Sequence, residues 1–308
     1  MAKSKGDKKK KDAKDKKETR PKEQRVEVPT STALRVGPDF SWDDIDERAT
    51  PGWDGDKAAA AVHLAARADE LSDLQERLYA RGRTGGDRSV LLVLQGMDTA
   101  GKGGIVRHVL GLVDPQGVAL RSFGVPTPEE LRHHYLWRVR RALPRPGQIG
   151  VFDRSHYEDV LVTRVRGLVD EAEVPARFEE INRFERKLVE SGTTIIKVAM
   201  AVSYDEQGAR LRERLERPEK HWKYNPGDID ARVEWPEYRR VYAEAIRATS
   251  TEHAPWHLVP ADRKWFARLA VGELLLEALR GLELTWPTAD FDVAHELERL
   301  SASDDLPH

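Results

Sequence analysis

Residues 89–113 read SVLLVLQGMDTAGKGGIVRHVLGLV, and they leave few folds open. Ser89–Gln95 is an uncharged run of strand length bounded by turn residues, the pattern of a strand buried on both faces. Gly96–Gly103 is a glycine-rich loop, after which Ile105, Val109 and Leu112 recur at helical spacing. A strand that delivers such a loop into a helix builds an anion nest, because backbone N–H groups and the helix N-terminus converge on one place. The usual form is G-x-x-x-x-G-K followed by Ser or Thr, whose hydroxyl holds a magnesium ion. Gly96, Gly101 and Lys102 keep that spacing, but Gly103 stands where the hydroxyl belongs and an acid, Asp98, sits inside the loop.

The alternation continues along the chain. VALRSF (118–123), the apolar run ending in Asp153, TTIIKVAMAV (193–202) and WHLVP (256–260) read as further short strands. Between them the spacing predicts helices over 57–81, with Val62, Leu64, Leu71, Leu74 and Leu78 on one stripe, and over 128–143, opened by a capping box of Thr127 and Glu130. Two more are predicted over 175–191, stopping at Gly192, and from about Asp262 to Leu282. Strands alternating with helices predict an α/β fold around a parallel, doubly wound sheet, with its site at the carboxyl ends of the strands.

Pro29 to about Gly55 is rich in Pro, Asp and Trp, which predicts an irregular strap docking Phe40, Trp42 and Trp53 on the body. Residues 205–235 are crowded with Arg and Lys and broken by Pro218, Pro226 and Gly227; they read as two exposed helical arms forming a basic lid. The expected organisation is a disordered Lys-rich tail (1–28), a strap and N-terminal helix (29–86), a core (87–285) carrying the lid, and an acidic C-terminal tail (286–308).

The 308 residues suffice for a large core or two modest ones. With no cysteine in the chain, disulfides, thiol nucleophiles and cysteine-ligated metals are excluded, which suits a reducing cytoplasm. No apolar run approaches the ~18 residues of a membrane span, and no apolar segment follows the charged start as in a secretory signal. The net charge of −2 hides an asymmetry, for residues 1–25 hold ten Lys, two Arg and five acids. Such a tail cannot bury enough apolar area to order itself. It reads either as a polyanion-collecting arm or as a solubilising tail.

Chemistry is expected at two strand tips. In the loop, Gly96, Met97, Asp98, Thr99, Ala100, Gly101 and Gly103 would cradle phosphate with their backbone, and Lys102 adds a positive charge for the outer phosphates. Asp98 and Asp153 can jointly supply carboxylate oxygen to Mg²⁺ in place of the missing hydroxyl. The plainer readings are a loop-stabilising acid for Asp98 and a helix cap for Asp153. Arg154 follows Asp153 and offers a rigid fork to phosphate oxygens. The lid supplies Arg210, Arg214, Arg217, Lys220 and Lys223, although Glu213, Glu216 and Glu219 are interleaved as in a salt-bridged helix. His133, His134 and His156 lack the spacing of a zinc site. Trp222 and Tyr224 could stack on a base or fill a seam.

LQGMDTAGKGG, FDRSHYEDVL, RPEKHWKY and ATSTEHAPWHLVPAD, in that order, resemble the polyphosphate kinase 2 family over about residues 60–285. The resemblance implies a P-loop kinase-like fold, a parallel sheet sandwiched by helices with a helical lid. It implies transfer of a terminal phosphoryl group between inorganic polyphosphate and a nucleoside mono- or diphosphate. Magnesium would be the cofactor, with manganese as a substitute, and the assembly a homo-oligomer, dimer or tetramer. Carried over by position, Asp98, Lys102, Asp153 and Arg154 are catalytic, and Arg210, Arg214, Lys220 and Lys223 bind phosphate. Asp153 stands where the monophosphate-accepting branch carries Asn. Two rivals remain: an ATP-dependent nucleotide kinase of the same fold, which would normally keep the hydroxyl that Gly103 lacks, and a non-catalytic polyanion-binding protein holding nucleic acid through its Lys-rich tail and basic lid, which would not need acids at both strand tips.

Overall fold

The computed structural model describes residues 28–304 together with Met1. The Lys-rich tail expected over residues 1–28 lies, but for its two ends, outside the described residues, as do residues 305–308.

Five strands form one sheet: β1 (Ser89–Gln95), β2 (Val118–Ser122), β3 (Ile149–Asp153), β4 (Thr193–Ala201) and β5 (Trp256–Pro260). Their order is β2-β3-β1-β4-β5, with every pair parallel. All seven residues of β1 are buried. Since successive side chains of a strand point to opposite faces, both faces of the sheet are covered. The helices are α1 (Ser31–Leu34), α2 (Lys57–Ala66), α3 (Ala68–Arg83), α4 (Lys102–His108), α5 (Leu136–Arg141), α6 (Val162–Val165), α7 (Val174–Glu190), α8 (Tyr204–Glu216), α9 (Gly227–Val233), α10 (Trp235–Thr249), α11 (Lys264–Gly281) and α12 (Val293–Asp304). Both α7 and α11 pack on β4, and α11 also covers β1, β5 and α4.

Parallel register fixes the site. Leu94 of β1 and Ser122 of β2 both lie beside Asp153 at the tip of β3. The loops leaving β1 and β3 therefore emerge side by side, and the Arg154 amide donates to the Leu94 carbonyl at 3.0 Å. The strap docks as expected: Phe40, Trp42 and Trp53 are buried, and Phe40 meets Trp42 edge-on.

Four local readings change. The helix expected over 57–81 is two helices meeting at Arg67, whose amide closes onto the Leu64 carbonyl at 3.2 Å. The inward face of α2 is Ala60 and Leu64 with His63, which reaches Glu273 at 2.8 Å, so Val62 is left exposed. Between Thr127 and Ala142 the capping box exists, with Glu130 N donating to Thr127 Oγ1 at 3.2 Å and Thr127 N to Glu130 Oε2 at 2.9 Å. The turn it opens stops at Arg132, and α5 begins only at Leu136. There His134 Nδ1 accepts from the Leu136 amide at 3.3 Å while His133 stacks on Trp137, local contacts that replace helical ones. The first lid arm is exposed on one side only, because Gln207, Arg210 and Leu211 of α8 are buried. The stretch expected as an acidic tail contains α12.

Candidate active site

The loop after β1 closes against β4. A Cβ added to Gly96 would lie 2.8 Å from the Met200 carbonyl oxygen, so only glycine lets the chain turn there. Gly101 has φ 112°. Between them Thr99 has φ 67°, a left-handed conformation that costs a non-glycine residue about 1–2 kcal/mol. Met97 and Ala100 are buried beneath the loop. Among the described residues the amides of Asp98, Thr99 and Gly101 donate no hydrogen bond, so they are open donors of the kind an anion nest provides. Lys102 is only 8% exposed, and its Nζ donates to the Gly96 carbonyl at 2.7 Å. Gly103 is exposed, and a Cβ added there would meet nothing within 4 Å, so space does not forbid a hydroxyl-bearing side chain.

Across the cleft Arg154, also left-handed at φ 64°, donates through Nη2 to Asp98 Oδ1 at 2.6 Å. Burial pushes the Asp98 carboxyl up, but the charges of Lys102 and Arg154, the Arg154 hydrogen bond and Arg214 outweigh it and hold Asp98 below 3.8. Asp98 and Arg154 thus pair with each other, with 29% and 38% of their side chains exposed. The Asp153 carboxylate accepts no hydrogen bond from the described residues.

Two acids that sequence reasoning missed lie within electrostatic reach of Asp98. Glu158, on the turn that follows Arg154, is raised above 4.5 by burial; Arg154 and Lys102 oppose the rise, and the Asp98 charge adds to it. With its amide nitrogen turned toward Glu158, Gln95 donates to Oε1 at 3.1 Å and accepts from the Ser155 amide at 3.3 Å. Asp228 on α9 is raised by burial and by the charge of Asp98, and it holds Arg214 Nη1 at 3.0 Å. The sequence signal for both is weak: Glu158 lies within FDRSHYEDVL, and Asp228 opens a helix after the lid's Pro226–Gly227.

The lid cations are already engaged. Arg214 donates to Asp228 and to the Lys223 carbonyl, the latter at 3.0 Å. Lys220 and Arg217 both bond Glu213, and Arg217 also bonds Glu219. Lys223 lies over the ring of the exposed Trp222, with Nζ 4.8 Å from its centroid. Arg210 lies beneath the loop, 5% exposed and bonded to backbone carbonyls. The structure therefore brings Asp98, Lys102, Arg154 and Arg214 together, leaves Lys220 and Lys223 on the lid surface, and sets Arg210 behind the loop.

A parallel α/β sheet with an open-amide glycine loop at one strand tip and an Asp-Arg pair at the next defines a phosphate-handling α/β protein. The profile of the family described as Polyphosphate kinase 2 (PPK2) matches residues 54–285, and the chain belongs to that family. A Meiothermus ruber protein named AMP/ADP-polyphosphate phosphotransferase is 46% identical over 255 residues, covering 82% of this chain and 94% of its own. The Rhodopseudomonas palustris ADP-polyphosphate phosphotransferase is 41% identical over 236 residues, covering 73% and 80% of the two chains. The crystal structure of Polyphosphate Kinase 2 from Arthrobacter aurescens TC1 is similar with a TM-score of 0.87 and 52% identity, covering 90% of this chain and 98% of that one.

Proposed function

We propose that this chain is a polyphosphate-dependent nucleotide kinase that moves a phosphoryl group reversibly between inorganic polyphosphate and a nucleoside mono- or diphosphate. The observation that carries the reading is the Asp98–Arg154 pair set against the open amides of the glycine loop, in a member of a family whose relatives above are phosphotransferases of polyphosphate and adenine nucleotides.

In-line phosphoryl transfer forms one P–O bond to the acceptor oxygen as the bridging P–O bond breaks, and it needs positioning and charge neutralisation more than covalent chemistry. The loop amides and Lys102 receive phosphate oxygens. Arg154 exchanges its bond to Asp98 for a transferring phosphate, which frees the Asp98 carboxylate. Arg214 approaches from the lid, and closure of the lid excludes water from the reacting phosphates.

The donor set fits magnesium. That ion is usually held by one or two carboxylates and completed by substrate phosphates and water. Asp98 and Asp153 would provide those carboxylates, and Thr99 Oγ1 is a buried oxygen without a partner among the described residues. The described residues contain no group of three or more His, Cys, Asp or Glu able to hold a metal by themselves, which suits an ion that would be completed by substrate phosphates and water. When bound, Mg²⁺ neutralises charge on the transferring phosphates.

The test is to incubate the purified protein with magnesium, polyphosphate and, separately, AMP, ADP, GMP and GDP, following products in both directions. Transfer to at least one nucleotide is expected. Asp153→Ala should keep the circular dichroism and unfolding midpoint of the parent and lose transfer by roughly 100-fold or more. No product in either direction would remove the reading, and full activity in the variant would remove the role of Asp153.

A further inference from the structure

Helix α8 lies behind the phosphate loop, and its hydrogen bonds to that loop all end on backbone carbonyls. A chain that turns its amides toward a ligand turns the intervening carbonyls the other way, and those carbonyls need donors. Three in succession are served from α8. Gln207 Nε2 donates to the Asp98 carbonyl at 3.4 Å, and Arg210 Nη1 donates to those of Thr99 and Ala100 at 2.8 and 3.2 Å. The rest of the Arg210 fork is also committed. Its Nε donates to Glu206 at 2.8 Å, and Nη2 donates to the carbonyls of Ala261 and Asp262 at 2.6 and 2.9 Å. A guanidinium has five N–H donors, and here five acceptors receive them. No donor is left for a phosphate.

We propose that Gln207 and Arg210 are positioning residues that hold the phosphate loop in its receptive shape from behind, and that Arg210 couples this loop to the lid. Thr99 keeps a left-handed backbone without being glycine, and such strain persists only where the surroundings over-determine it. The bond from Arg210 to the Thr99 carbonyl falls at that residue. Asp262, whose carbonyl Arg210 also holds, accepts from Ser203 N and Oγ at 2.8 and 2.7 Å and so pins the start of α8. The first lid helix, the exit of β5 and the loop are thus one hydrogen-bonded unit, and a displacement of α8 is passed to Thr99 and Ala100. Lysine could not replace this fork, for it carries three donors on one atom.

The kinetic part of the test rests on the phosphoryl-transfer reading; the exchange part does not. Arg210→Lys keeps the charge and removes the fork. Its expected signature is a fall in kcat of roughly 100-fold, the scale of a misplaced loop, with the KM for polyphosphate within about twofold of the parent. Amide hydrogen exchange across residues 97–101 of the full chain, without ligand, should quicken while the core strands stay protected. Gln207→Ala, a gentler change, should show the same pattern with a smaller fall. A phosphate ligand would behave oppositely: the KM for polyphosphate would rise, lysine would restore function, and loop exchange would not change. Any of those three results overturns the proposal. If the parent shows no transfer but Arg210→Lys still loosens the loop, the positioning role stands and the functional reading alone fails.

Discussion

Asp98 and Glu158 lie within electrostatic reach of each other, yet burial decides for only one of them. Asp98 has Lys102, Arg154 and Arg214 against its desolvation and stays below 3.8, whereas Glu158 has Arg154 and Lys102 partly cancelled by the Asp98 charge and rises above 4.5. A group whose folded pKa is raised contributes stability that is complete below the unfolded value, here 4.5, and lost as pH rises through the folded value. Glu158→Gln, which cannot ionise, should therefore be more stable than the parent at pH 7, and this gain should shrink as pH falls toward 4.5. Urea unfolding at the two pH values checks it; an equal gain at both would show that ionisation is not the cause. The sequence discloses Asp98, Lys102, Asp153 and Arg154 because spacing from a recognisable strand marks them. Glu158 and Asp228 escape because their distinction is burial beside other charges, and one acid among the chain's 53 carries no such label. Arg210 reads as a phosphate ligand from composition, which cannot tell an arginine facing a cleft from one facing carbonyls.

At the scale of elements, β1, β3, β4 and β5 are legible because buried parallel strands are largely apolar along their length and glycine or proline bounds them. The stretch 128–143 is not, since histidine contacts that cut the helix depend on which ring nitrogen meets which amide. The lid is legible as basic and helical, and its interleaved acids matter: Glu213 bonds both Lys220 and Arg217. Exposed pairs of this kind are worth about 0–1 kcal/mol, so an arriving polyanion displaces them readily. Glu213→Gln should free Lys220 and leave Arg217 with Glu219 alone, lowering the KM for polyphosphate by roughly two- to fivefold at low salt while changing stability by less than about 1 kcal/mol. The effect should fade as ionic strength rises, because the lid is solvent-exposed. An unchanged KM at low salt would place the polyphosphate path away from Lys220 and Arg217.

At the scale of the whole molecule, a paired charge is buried at the centre of the sheet. Lys197 in the middle of β4 is wholly buried, a residue whose presence in TTIIKVAMAV demands a partner without naming one. Its ammonium donates to Glu185 Oε2 at 2.6 Å, Tyr157 Oη at 2.9 Å and the Thr249 carbonyl at 2.7 Å, which satisfies all three protons. Glu185 in turn accepts from Tyr157 at 2.8 Å and meets His156 Nε2 at 3.2 Å. The pair joins β4, α7, α10 and the turn that follows Arg154, so the sheet's interior and the rear wall of the site are one network. Burial alone would raise Glu185, but the Lys197 charge and the His156 and Lys197 hydrogen bonds hold it below 4.5. A depressed carboxyl contributes stability that is present above its unfolded pKa and lost as pH falls through the folded one, so the contribution of Glu185 should decline as pH falls below 4.5. Glu185→Gln leaves a buried ammonium without its counter-charge and should cost about 3–5 kcal/mol at pH 7. Removing both charges in K197M/E185L should restore much of that loss, since a buried pair contributes little beyond what apolar residues of similar volume provide. The double variant should also unfold less steeply in acid than the parent. Unfolding midpoints of the three proteins at pH 7 and pH 4 decide it: equal losses in the single and double variants would mean that packing around Lys197, and not the unpaired charge, governs the core.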